Sequence, residues 1–167
     1  MDPKKEVPMR HTISALVHNQ PGVLAAMAQV FQRHGLNIQS ISCGETERAE
    51  VSRMVITVDP DEDRLQAVTA ELARLPFVFG LEDISAHEFI DRELLLIKVR
   101  VAKETVSQLL QIVEVFRANV VDMGNSTMVA ELVATPGKVA GFIRTLVPHG
   151  IVSLSRTGVI ALTRGDG

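Results

Sequence analysis

The order in which two hydrophobic periods alternate along the chain constrains its fold more than any other feature. Residues 10–17 alternate with a period of two: Ile13, Ala15 and Val17 share one face and Thr12, Ser14 and Leu16 the other. The pattern then changes to a helical one over residues 21–34, where Val23, Leu24, Met27, Val30 and Phe31 form one stripe. Gly35 is placed to stop that helix as the residue just past its end. Alternation returns over 38–43 and 51–58, separated by the polar stretch 44–50. Asp59-Pro60-Asp61-Glu62-Asp63 reads as a helix start, with a cap and then acids in the first turn, where the dipole favours them. Leu65, Val68, Leu72 and Leu75 carry that helix's stripe, Pro76 ends it, and residues 77–84 read as a strand.

This is a β-α-β-β-α-β order, the ferredoxin-like split βαβ unit, an antiparallel sheet with both helices on one face. The order then recurs. Residues 93–101 read as a very apolar strand, 103–118 as a helix, and 119–123 and 127–134 as a strand pair around Gly124-Asn125. Thr135-Pro136 opens the last helix, with Val139, Phe142, Ile143 and Leu146 inward. Residues 151–162 close as one long or interrupted strand, bent at Gly158. The expectation is an α+β chain of two ferredoxin-like domains, 10–86 and 87–167, behind a loose leader of residues 1–9. The halves share element order rather than a residue-level repeat.

Composition narrows the function. The 167 residues are 46% hydrophobic, which suits a folded chain rather than a disordered one. Trp and Tyr are absent, so a stacking surface for single-stranded nucleic acid is not expected. Net charge is −3, distributed as −5 over residues 1–90 and +2 over 91–167, and there is no basic footprint for a nucleic-acid backbone. No apolar run approaches the roughly 20 residues that span a bilayer, and the polar start is no signal peptide. With Cys43 as the single cysteine, no internal disulfide can form, and a cytoplasmic location is expected. Cys43 itself reads as a small core or interface filler.

Catalytic constellations are missing. His11, His18, His34, His87 and His149 show no metal-ligand spacing. The acids at 59–63 are explained by capping. The glycines at 124 and 137 lack phosphate-loop spacing. What remains is binding, and it centres on His18-Asn19-Gln20-Pro21-Gly22-Val23-Leu24. Pro21 is placed to occupy the first helical position, and Gly22 lets a ligand approach the backbone. The N–H groups of Gly22, Val23 and Leu24 would point out of a helix N-terminus, where a carboxylate or phosphate is favoured. Asn19 offers a side-chain carbonyl for an ammonium. The same turn could equally do no more than start a helix. Asn37, at the start of the next strand, is either a second ligand contact or a turn residue. It lies at the far end of the first helix from Asn19, so the two could meet only between neighbouring copies.

The run His11-Thr-Ile-Ser-Ala-Leu-Val-His-Asn-Gln-Pro-Gly-Val-Leu with Gly35-Leu-Asn-Ile-Gln-Ser-Ile resembles an ACT domain. Ser52-Arg53-Met54, Arg92-Glu-Leu-Leu-Leu-Ile-Lys-Val and Arg156-Thr-Gly-Val-Ile-Ala-Leu-Thr-Arg-Gly-Asp extend the resemblance to the small regulatory subunits of acetohydroxyacid (acetolactate) synthase. The resemblance implies that this chain carries no active site and no cofactor. A separate large subunit would hold thiamine diphosphate, Mg and FAD and perform the carboligation that begins branched-chain amino-acid synthesis. It implies a homodimer through the ACT domains, with valine or another branched-chain amino acid at their interface. By position it assigns effector contacts to Asn19, Gly22, Val23, Leu24, Asn37 and Ile38. Gln20, Pro21 and Ala25 depart from relatives that carry Ser or Glu in the first turn. The alternative is a free-standing ACT-type amino-acid sensor or interaction protein without a synthase partner.

Overall fold

In the computed structural model, which describes residues 10–165, the chain divides into two compact units. One runs to Ile90 and includes the C-terminal stretch from Ala161; the other is Asp91–Ile160. The expected leader, residues 1–9, lies outside the described residues.

The first unit contains β1 (His11–His18), α1 (Val23–Arg33), β2 (Ile38–Glu45), β3 (Val51–Val58), α2 (Glu62–Leu72) and β4 (Val78–Asp83). Its antiparallel sheet has the order β2-β3-β1-β4. One face carries Ile13, Ala15 and Val17 beside Met54, Ile56 and Val58. These pack with Met27, Val30 and Phe31 of α1 and Leu65, Val68 and Leu72 of α2. Each such side chain contributes about 1.5–3 kcal/mol by leaving water. The two-residue and helical periods of the sequence are therefore the two sides of one core.

The helix ends follow local chemistry. At the end of α1, Leu36 N–H donates to Phe31 O and Gly35 N–H to Gln32 O, a Schellman closure. Gly35 takes the left-handed φ of 62° this requires. The Asp61 carboxylate accepts from Arg64 N–H at 2.9 Å and caps α2. Pro76 lies beyond α2, which already ends at Leu72, so the stop is earlier than the proline suggested.

Glu71 of α2 ties the two helices together. Arg33 Nε donates to its Oε1 at 2.9 Å, and His34 Nε2 lies 2.7 Å from its Oε2. Hydrogen bonds from Arg33 and then His34 hold the Glu71 carboxyl below its ordinary pKa. Because the folded-state value is depressed, this stabilisation is present above the unfolded carboxylate range and is lost as pH falls through the folded value. Glu71→Gln is therefore expected to reduce the acid-side loss of stability. Thermal unfolding compared between neutral pH and about pH 3–4 checks this, and an unchanged acid slope refutes it.

The second unit repeats the plan with β5 (Phe89–Arg100), α3 (Val106–Phe116), β6 (Asn119–Met123), β7 (Thr127–Ala134), α4 (Pro136–Leu146) and β8 (Ile151–Arg156). Its strand order, β6-β7-β5-β8, matches the first unit position for position. A short β9 (Ile160–Thr163) pairs with β5. The closing strand is thus interrupted, with Gly158 at φ 79° between its two parts. Leu95, Ile97, Val99, Met128, Ala130 and Leu132 face Leu109, Val113, Val139, Phe142 and Leu146 in the core.

Candidate functional site

The turn between β1 and α1 differs from the sequence expectation in one informative way. Pro21 is not the first helical residue. α1 starts at Val23, and Gly22 is its N-cap at φ 89°, ψ −16°. Pro21-Gly22 forms a turn instead, because only glycine enters the left-handed region at little cost. No side chain caps α1 and its first turn holds no acid. Ala26 N–H already donates to Gly22 O at 3.0 Å. The N–H groups of Gly22, Val23 and Leu24 have no acceptor among the described residues, so the positive end of the helix dipole stands open. A Cβ on Gly22 would have no atom within 4 Å. Leu24 beside it is 49% exposed, whereas Val23 is buried in the core.

Asn19 is fixed from a direction the sequence did not suggest. Its backbone N–H donates to Glu50 O at 2.8 Å. Its side-chain Nδ2 donates to Ala49 O at 2.9 Å and to Glu45 Oε1 at 3.2 Å. The β2–β3 turn thus holds the amide by its nitrogen and leaves Oδ1 as the available acceptor. The His18 ring packs in a tilted arrangement, 5.1 Å between centroids, against Phe79 of β4 and borders the same turn. Glu45 and Ala49 were not legible as neighbours of Asn19, nor Phe79 as a neighbour of His18, since only strand register brings them there.

Asn37 and Ile38 lie past the other end of α1. Eleven residues at about 1.5 Å each put roughly 16 Å of helix between the two groups. The structure therefore brings Asn19, Gly22, Val23 and Leu24 together and leaves Asn37 and Ile38 apart from them within one chain. Asn37 is exposed and Ile38 partly buried.

The corresponding position of the second unit is more closed. Thr105 and Val106 both donate their N–H groups to Ala102 O at 3.0 Å, so the loop itself satisfies the N-cap and first helical N–H groups of α3. Thr105 Oγ1 accepts from Ala102 N–H at 3.1 Å.

Other candidates resolve differently. Cys43 is exposed on the edge strand β2, so of the two readings, core or interface filler, the core one does not hold. Core placement fails because that strand has a neighbour on one side only. His11 Nδ1 lies 2.7 Å from Asp83 Oδ2, whose other oxygen accepts from Ser85 N–H. Among the described residues no cluster of His, Cys, Asp and Glu could hold a metal ion, and no helix is long and apolar enough to cross a membrane.

A pair outside this site was also missed by sequence reasoning. Glu93 of β5 is only 2% exposed. Arg156 of β8 donates from Nε and Nη2 to its two oxygens, both at 2.7 Å. The hydrogen-bonded Glu93 carboxylate raises the Arg156 pKa further above its ordinary value. Leu94 N–H donates to Thr157 Oγ1 and Thr157 N–H to Leu94 O, so the Arg156-Thr157 end of β8 is fastened to β5 twice more.

Two units of this topology, the first with an open helix start after β1, make a two-domain chain of the ferredoxin-like class. A family model described as an AHAS small subunit-like ACT domain matches residues 13–79, and one described as the small subunit of acetolactate synthase matches residues 92–165. An acetolactate synthase small subunit of Mycolicibacterium smegmatis is 39% identical over 155 residues, covering 93% of this chain and 91% of that one. A probable acetolactate synthase small subunit of Archaeoglobus fulgidus is 37% identical, covering 95% and 99%. The crystal structure of the acetolactate synthase small subunit from Thermotoga maritima superposes with a TM-score of 0.84 at 33% identity, covering 95% of this chain and 99% of that one. The chain belongs to the acetolactate synthase small-subunit family, the regulatory subunits of that enzyme.

Proposed function

We propose that this chain activates the thiamine-diphosphate-dependent large subunit of acetolactate synthase and makes it sensitive to feedback inhibition by valine or another branched-chain amino acid. The catalytic site and the enzyme's cofactors belong to the large subunit. Residues 10–86 act as the effector-binding and dimerising domain, and residues 87–167 as the C-terminal domain.

The observation that carries this reading is the open start of α1. An amino acid has a carboxylate, an ammonium and a side chain, and each needs a different surface. The unpaired N–H groups of Gly22, Val23 and Leu24 receive the carboxylate. Asn19 Oδ1, free because Nδ2 is held by Ala49 and Glu45, accepts from the ammonium. Leu24 offers an exposed apolar wall for a branched side chain. Asn37 and Ile38 complete the site from a second copy, because the length of α1 separates them from Asn19 in their own chain. Binding then favours one arrangement of the dimer over another. Inhibition requires differential affinity of about 1–3 kcal/mol between arrangements.

Calorimetric titration of the purified chain with valine, leucine and isoleucine tests the site. Reconstitution with the large subunit tests the role. Activity is expected to rise on adding this chain and to fall on adding the effector. No rise in activity would reject the regulatory reading. Asn19→Ala and Asn37→Ala are each expected to weaken effector binding by about 1–3 kcal/mol. Mixing the two variants should regenerate some intact sites, since both mutated groups then fall in one site of a mixed dimer and leave the other whole. Failure of the mixture to recover any tight binding would exclude the shared site.

A further inference from the structure

The β2–β3 turn places a carboxylate where the hydrogen bonding of the site does not need one. Asn19 Nδ2 already donates to the Ala49 carbonyl at 2.9 Å, and that bond alone settles which way the amide points. Glu45, the last residue of β2, adds a second acceptor through Oε1 at 3.2 Å. Its Oε2 accepts no hydrogen bond among the described residues, and Glu45 has no cation partner among them. The turn is closed by its own bonds, Thr46 N–H to Val51 O at 2.9 Å and Val51 N–H to Arg48 O at 3.0 Å, so the backbone that carries Glu45 is fixed beside Asn19. The start of α1 has the opposite character, with open donors and no acid in its first turn. The two ends of the site therefore differ in sign.

We propose that Glu45 is the residue by which the site tells an amino acid from the 2-oxo acid of the same side chain. This role rests on the effector site proposed above. The two compounds share a carboxylate and a branched side chain, so the N–H groups at the start of α1 and the exposed Leu24 side chain treat them alike. They differ only at Cα, which bears an ammonium in one and a carbonyl oxygen in the other. The Glu45 carboxylate attracts the ammonium as one charge attracts its opposite. It repels the carbonyl oxygen, because an ionised carboxylate accepts hydrogen bonds and donates none. Asn19 Oδ1 acts in the same sense but carries only the partial charge of an amide, and bonds that involve an ionised group are the stronger. Glu45 thus supplies the full negative charge at the ammonium end of a site whose other end is positive.

Calorimetric titration of the full chain with L-valine, L-leucine and L-isoleucine, each set against its own 2-oxo acid, tests this, with far-UV circular dichroism as the check on folding. The wild type should bind at least one of the amino acids, and its 2-oxo acid about tenfold or more weakly. Glu45→Gln keeps an acceptor for Asn19 Nδ2 and removes only the charge. It should weaken amino-acid binding by about fivefold and leave 2-oxo acid binding no weaker than about twofold below the wild type, so the ratio between them falls. Glu47→Gln changes net charge equally in the same turn, from a residue with no bond to Asn19, and should leave the ratio within about twofold. An unchanged ratio in Glu45→Gln would overturn the proposal. So would a ratio that falls only in Glu45→Ala, which would make Glu45 a support for Asn19 alone, or an equal fall in Glu47→Gln, which would assign the effect to overall charge. A wild type that binds none of the amino acids removes the effector site and this role with it, whereas tight binding with an unmoved ratio removes the role of Glu45 and leaves the site standing.

Discussion

Arg156→Met is expected to destabilise the second unit by about 3–5 kcal/mol, the usual cost of stranding a buried ion. Glu93 occupies an inward position of β5, in phase with Leu95, Ile97 and Val99. Its two oxygens are held by Arg156 at 2.7 Å each. Removing the guanidinium leaves a carboxylate at a buried position with no cation beside it. Arg156 is more exposed than its partner, its side chain being 40% accessible. Glu93→Gln, which leaves an accessible cation rather than a buried anion, should therefore cost less than Arg156→Met. The double replacement Glu93→Met with Arg156→Met should be far milder than Arg156→Met alone, because it removes both charges. Urea unfolding followed by far-UV circular dichroism reads all three, since the chain has no Trp or Tyr. A loss below about 1 kcal/mol for Arg156→Met, the range of ordinary surface changes, would contradict the argument.

Gly22→Asp is expected to abolish effector inhibition while leaving activation of the large subunit largely intact. Two effects must be separated. At φ 89° any side chain strains the backbone, by about 1–2 kcal/mol. A carboxylate also opposes a ligand carboxylate at the same helix end. Gly22→Ala carries the strain alone, and its Cβ enters open space. Inhibition curves for the reconstituted enzyme should therefore show sensitivity kept or modestly reduced in Gly22→Ala and absent in Gly22→Asp. Full sensitivity in Gly22→Asp would remove the carboxylate from the start of α1.

Hydrophobic period made the element order legible, because most strands and helices of both units bury the stripe their residues announce, with β6, exposed along its length, and Leu24 of α1 as exceptions. β3, β6 and β7 begin and end where alternation begins and ends. The start of α1 was misplaced because proline preference was read alone. The left-handed turn at Gly22 shifts the helix to Val23, a competition that local propensity does not settle. The exposure of Cys43 was not legible because period does not say which strand is outermost. Glu93 left a signal that went unused: a carboxylate in step with three inward apolar residues requires a cation, and Arg156 is the one that strand pairing supplies. Asn19, Gly22, Val23 and Leu24 are neighbours in sequence, so their grouping was readable. The hold of Ala49 and Glu45 on Asn19 comes from register across the sheet and was not.

The two units share one topology but treat the start of their first helix in opposite ways. In α3 the Ala102 carbonyl occupies the N-cap and first helical N–H groups, the counterparts of two of the three donors that α1 leaves open. Repetition of the fold is therefore not repetition of the receptor. If the open donors are what hold the effector, a titration counts chains rather than folds and saturates at one equivalent per chain. The second unit then never competes for the signal.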